Sequence, residues 1–143
     1  MRAIKFRGKD VETGKWVYGD LIQYNDLIQR MGYIPSIIFY YERNGKIYYN
    51  EHAVKHETIG QYTGLKDKNG VEIYEGDIVF SKKFDHKGVL HKVEYDAENA
   101  MFTAKPIQCW DFDFCQIRKD WILKYEKEVI GNIYDNPELL KVE

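Results

Sequence analysis

The sequence predicts a mainly β protein of barrel or roll type with little helix. Three observations carry that expectation. Eight or more short apolar runs follow one another, each closed by Gly, Asn or Asp turn chemistry. The 12 Tyr, 7 Phe and 3 Trp favour strands, because flat rings pack well on a half-buried pleated surface. Helical spacing of apolar residues is nearly absent.

The 143 residues suffice for one domain or two small ones sharing an interface. A division into 1–57 and 58–143, two small β-barrel- or roll-like parts, is expected, although no Pro-, Ser- or Gly-rich linker marks it. With 44% hydrophobic and 31% charged residues the chain has an ordinary globular composition. The net charge of −2 is too near neutral for a general nucleic-acid or membrane footprint. Two cysteines form no disulfide framework, the sequence holds no apolar run of membrane-spanning length, and no secretory leader is expected. A cytoplasmic protein with reduced thiols and no membrane partner is expected.

In chain order, Ile4 and Phe6 alternate with Lys5 and Arg7, which argues a strand. Residues 10–14 read as a turn and 15–23 as the returning strand. Residues 24–32 are read as a loop with room for one helical turn. Residues 33–41 are strongly β, with Pro35 forcing an edge or a start after it. Asn44-Gly45 is the best hairpin signal, and Lys46 to Tyr49 return, with 51–57 as a connection. Residues 58–63 are a strand, 64–70 a hairpin loop and 71–74 the return. Gly76-Asp77 then turns the chain into 78–82, and a β-branched residue in place of Gly76 is expected to destabilise the fold if φ there is positive. Residues 84–88 form a polar turn, and 90–95 with 100–104 form a third hairpin. Residues 109–115 alternate, 121–125 are read as a further short strand and 128–133 as another apolar stretch. Asn136-Pro137-Glu138 fits a helix start of a turn or two.

Three blocks of sequence stand out. Near the N-terminus are Ile4-Lys5-Phe6-Arg7 and Lys15-Trp16-Val17-Tyr18-Gly19-Asp20-Leu21. In the centre is 59–79, with Gly64-Leu65-Lys66-Asp67-Lys68-Asn69-Gly70 and Gly76-Asp77. Near the end is 129–140, beginning Val129-Ile130-Gly131-Asn132. Together they resemble the YopX family, small proteins typically encoded by phages and prophages of Gram-positive bacteria. The resemblance spans nearly the whole chain. It implies a mainly β fold whose C-terminal part is an SH3-like roll. It implies no activity and transfers no site residues.

Several local patterns invite chemical readings that geometry discourages. Residues 64–70 lack the Gly-Lys-Ser/Thr ending and following helix of a phosphate loop, so a register-setting hairpin loop is expected. Cys109, Asp111, Asp113 and Cys115 share one strand face, but a straight strand separates the cysteines by about 20 Å. That exceeds both disulfide and zinc geometry. An edge strand whose two acids deter unwanted pairing is the preferred reading. His52 and His56 would meet on a helix, but in extended chain they lie about 13 Å apart. They are read as a solvated pair. No catalytic, cofactor-binding or metal-binding residue is assigned, and no cofactor or enzymatic role is expected.

The aromatic surplus remains. Tyr40-Tyr41 and Tyr48-Tyr49 flank Asn44-Gly45 and put one tyrosine of each pair on either sheet face. One face can be core and the other exposed or covered by a partner, a setting that suits tyrosine. Tyr40, Tyr41, Tyr48 and Tyr49 are the candidate interface. A non-catalytic binding or assembly module that self-associates, or that meets a phage or host protein, is the leading expectation. Single-stranded nucleic acid is the alternative. Arg30, Arg43, Lys46 and Lys55 are interleaved with the tyrosines, and residues 1–70 hold 11 Lys/Arg against 8 Asp/Glu. An enzyme of unknown reaction is the third reading.

Overall fold

A computed structural model describes residues 1, 3–82, 88–107 and 115–141. The fold is mainly β, with 50% strand against 14% helix. Two compact units, 1–61 and 62–143, divide the chain. The strands form open antiparallel sheets, and no closed barrel is present among the described residues. No helix among them is long and apolar enough to cross a membrane.

In the first unit β1 (Phe6–Lys9) pairs antiparallel with β2 (Trp16–Ile22), from Phe6↔Gly19 to Lys9↔Trp16. The connection is held by Asp10. Its Oδ1 accepts from the amides of Glu12 (2.9 Å) and Thr13 (2.7 Å), the local turn bond that Asp makes readily. The single helical turn allowed for in 24–32 is α1 (Asp26–Arg30), capped by Asn25, whose Oδ1 accepts from the Ile28 amide. Strand β3 (Ser36–Arg43) starts after Pro35, as its missing donor requires. At the Asn44-Gly45 turn φ is 54° and 70°, the positive values a two-residue type I′ turn demands. The return strand β4 (Lys46–Ala53) is longer than its sequence suggests: residues 51–53 continue the ladder rather than forming a connection. A 3-10 turn, His56–Thr58, follows.

Strand β5 (Gly60–Lys66) begins in this unit, where Gly60 and Gln61 pair with Arg7 and Phe6. It continues into the second unit, where Tyr62 faces Tyr74 and Lys66 faces Glu72 of β6 (Glu72–Tyr74). Residues 64–66, read from sequence as loop, are strand. Gly64 at φ 88° lies where the register shifts, so the ladder resumes after an irregularity. Gly76 has φ 81°, which meets the condition under which a β-branched replacement destabilises. It leads into β7 (Asp77–Ser81), and a meander follows through β8 (Val89–Asp96) and β9 (Met101–Pro106). The sheet order is β10-β9-β8-β7-β11, with β10 at Cys115–Gln116 and β11 at Glu128–Asn132. The β8–β9 hairpin matches expectation, and Asp96 Oδ1 accepts the Glu98 and Asn99 amides in its turn.

The stretch 121–125 is not a strand. It belongs to α2 (Lys119–Lys124), in which Trp121 and Ile122 are buried while Leu123 and Lys124 are exposed. Two adjacent buried residues followed by two exposed ones is helical rather than alternating geometry. Trp121 and Ile122 join Ile73, Val79, Val93 and Ala104 in the core of this unit. At the C-terminus Pro137–Leu140 is a 3-10 turn. Asn136 stands at its N-cap but makes no side-chain cap bond; instead its Oδ1 accepts from the Asn132 amide. The polar turn at 84–88, except Gly88, and residues 109–114 of the alternating stretch lie outside the described residues.

Two buried ionisable groups, His91 and Lys127, lie beside this core. The His91 ring packs edge-on against Trp121, with centroids 5.5 Å apart. The Lys127 ammonium sits 3.9 Å from the Trp121 ring centre. Burial, and then the Lys127 charge, lower the His91 pKa from 6.5 to about 4, and the carbonyls of Val89 and Val79 offset only part of this. Between those values the unfolded chain binds a proton that the folded chain refuses, so stability rises with pH across the window. The His91 contribution to the unfolding free energy should therefore be flat above pH 6.5 and fall as pH drops towards 4. A His91→Gln chain should lack that component. Equal slopes for the two proteins in denaturant titrations across this window would contradict the assignment.

Candidate interface: the tyrosine arm

The β3–β4 hairpin reaches past the sheet that carries it. Strand β2 pairs with β3 only over Ser36 to Ile38. Beyond Ile38, the described ladder partner of β3 is β4 alone, continuous from Phe39↔Asn50 to Arg43↔Lys46. The outer hairpin is thus a two-stranded ribbon, and residues 40–51 are all exposed. The expectation that one face would be core is overturned, because the residues on both faces of the ribbon are exposed.

The four sequence-selected tyrosines are brought together on this arm. Tyr40 and Tyr49 pair on one face, with ring centroids 6.2 Å apart and 60% of each residue exposed. Tyr41 and Tyr48 stack on the other, 5.6 Å apart and 42% exposed. Such cross-strand pairs stabilise a ribbon by about 0.2–1 kcal/mol each, yet all four tyrosines remain exposed. Ile47, which the sequence reading did not single out, is 77% exposed on the face of Tyr49. Glu42 and Glu51 balance Arg43 and Lys46, so the arm has no net formal charge.

The base of the arm is fixed by a contact between residues 42 apart in sequence. His52 Nδ1 donates to Asp10 Oδ2 at 2.7 Å, and its ring stacks on Phe39 with centroids 5.9 Å apart. The Asp10 carboxyl is held at about 2, first by the Thr13 amide and then by His52. His52 and His56 therefore do not act as the solvated pair read from sequence: His52 is committed to Asp10, while His56 opens the 3-10 turn. Among the described residues no group of three or more His, Cys, Asp or Glu could hold a metal ion. Cys109, Asp111 and Asp113 lie outside the described residues, and Cys115 is seen only as backbone in β10.

The 64–70 segment that superficially resembles a phosphate loop is occupied from within. Asp67 is buried, and its Oδ1 accepts from the amides of Asn69 (2.8 Å) and Val71 (2.9 Å). Its Oδ2 accepts from Val129 at 2.9 Å, which ties the turn to β11. Lys68 adds an ion pair with Glu128 at 2.7 Å, and Glu128 holds the Lys68 pKa above its ordinary value.

The family described as YopX protein matches over residues 5–141. The chain belongs to the YopX family. Among solved structures, this YopX chain is similar to the crystal structure of protein EF1440 from Enterococcus faecalis. The two share 28% identity over 99% of this chain and 100% of that one, with a TM-score of 0.58. No match was found among the curated proteins.

Proposed function

We propose that this YopX protein is a non-catalytic binding and assembly module that self-associates through its tyrosine arm. The observation that carries the reading is a ribbon exposing four tyrosines and Ile47 on two uncovered faces. Isolated two-stranded ribbons are at best marginally stable in water, whereas a covering partner would bury both ring pairs. Tyrosine suits such a surface, since its ring is apolar and its hydroxyl tolerates a wet rim. The neutral arm lets two copies approach without net repulsion. In this reading the second unit is an SH3-like scaffold, the setting is the cytoplasm of a bacterial host, and the gene is carried by a phage or prophage.

Light scattering at rising protein concentration tests it. The wild type should exceed the 17.0 kDa chain mass, and a Tyr40→Ser/Tyr49→Ser chain should weaken association about tenfold or more. A wild type that stays monomeric at the highest concentration sinks the reading.

A further inference from the structure

The backbone of the arm carries a pattern that its side chains do not reveal. The Ala53 carbonyl accepts from the Val11 amide, so at Ala53 the β4 backbone faces away from β3. Strand residues alternate in this respect, so Glu51, Tyr49 and Ile47 also present their amides and carbonyls outward. The other end agrees: Arg43↔Lys46 closes a two-residue turn and is the inward, hydrogen-bonded pair. The three outward residues therefore lie evenly about Tyr49, on an edge with no proline and no register shift. Exposed edges of this kind are templates for another strand.

We infer that β4 pairs antiparallel with β4 of a second copy across a two-fold axis at Tyr49. This inference rests on the self-association proposed above and specifies its geometry. A two-fold axis between antiparallel neighbours stands perpendicular to the sheet and preserves each residue's face, so a residue can oppose its own copy. With Tyr49 opposite Tyr49 of the second copy, Ile47 opposes Glu51 of the second copy, and the reverse. All three outward residues then exchange amide–carbonyl bonds, about six in total. A centre displaced by two residues leaves at least one outward residue of each copy without an outward partner in the other. The length also fits: Lys46 of the second copy falls opposite His52, and its turn begins where Val11 closes the edge at Ala53. On the shared face Tyr40 and Tyr49 of both copies form a row of four rings. The opposite free edge of the arm, beyond Ile38 on β3, offers only Tyr40 and Glu42 on the same alternation.

Cysteine cross-linking tests the register, in a full-length background carrying Cys109→Ser and Cys115→Ser. Tyr49→Cys places two Cα atoms about 5.5 Å apart, within disulfide range. Ile47→Cys places them more than about 13 Å apart, although it is at least as exposed and serves as the collision control. Circular dichroism checks that each variant is folded, and wild-type light scattering runs alongside. Support is an oligomeric wild type, with Tyr49→Cys converting mainly to covalent dimer and Ile47→Cys giving at least fivefold less. An oligomer in which Tyr49→Cys fails to cross-link, or does so no better than Ile47→Cys, overturns this geometry and leaves self-association standing. A monomeric wild type overturns both.

Discussion

Replacing Asp67 with alanine should lower the unfolding free energy by about 3–5 kcal/mol, the largest loss expected from any single change to a loop side chain here. One buried carboxylate takes three backbone amides, from Asn69, Val71 and Val129. Bonds to a charged acceptor contribute about 1.5–3 kcal/mol each, and amides left dry and unpaired add a penalty. Two of the bonds shape the turn and the third anchors it to β11, 62 residues away. Asp67→Asn should recover part of the loss, because the amide oxygen can still accept at one position. Urea denaturation of the three proteins checks the order wild type, then Asn, then Ala. A loss under 1 kcal/mol for Asp67→Ala would mean that water replaces the carboxylate at little cost.

Gly76→Val should destabilise the second unit by about 2–4 kcal/mol. At φ 81° a β-branched residue is strained whatever the space around it. Space is also short, since an added Cβ would lie 3.1 Å from Tyr134 Cε2 and 3.6 Å from Ile133. The backbone cannot easily move away. The Gly76 amide donates to the Val93 carbonyl, and its own carbonyl accepts from Ile133. Gly76→Asn separates the two costs, because asparagine tolerates positive φ and keeps only the crowding. Thermal unfolding should rank glycine above asparagine above valine. Equal midpoints for glycine and valine would show that the turn relaxes.

Local chemistry made much of this fold legible in sequence. Asn44-Gly45, Asp96 to Ala100 and Gly76 set turns that no distant contact needs to explain. Three failures have physical reasons. Strand β4 runs on to Ala53 through Asn50, Glu51 and His52, where no buried face imposes an alternation for a reader to find. Helix α2 is short enough that Trp121, Leu123 and Tyr125 satisfy a period of two as well as Trp121, Ile122 and Tyr125 satisfy a helix. The strand through Gly64 survives an irregularity that reads as loop. The four tyrosines were visible as a candidate surface, but their exposure on both faces was not, since that depends on where β2 leaves β3. The His52 contact with Asp10 and the Asp67 contact with Val129 join residues far apart in sequence and leave no local trace.

The turn around Asp67 also changes what the most distinctive segment of the chain means. Glycine-punctuated loops with converging amides are receptors for anions. Here the receptor is already filled, and its guest is covalently part of the host. Such a loop binds its ligand once, at folding, as an intramolecular event. The specificity written into residues 64–70 is thus recognition turned inward: the segment reads its own chain.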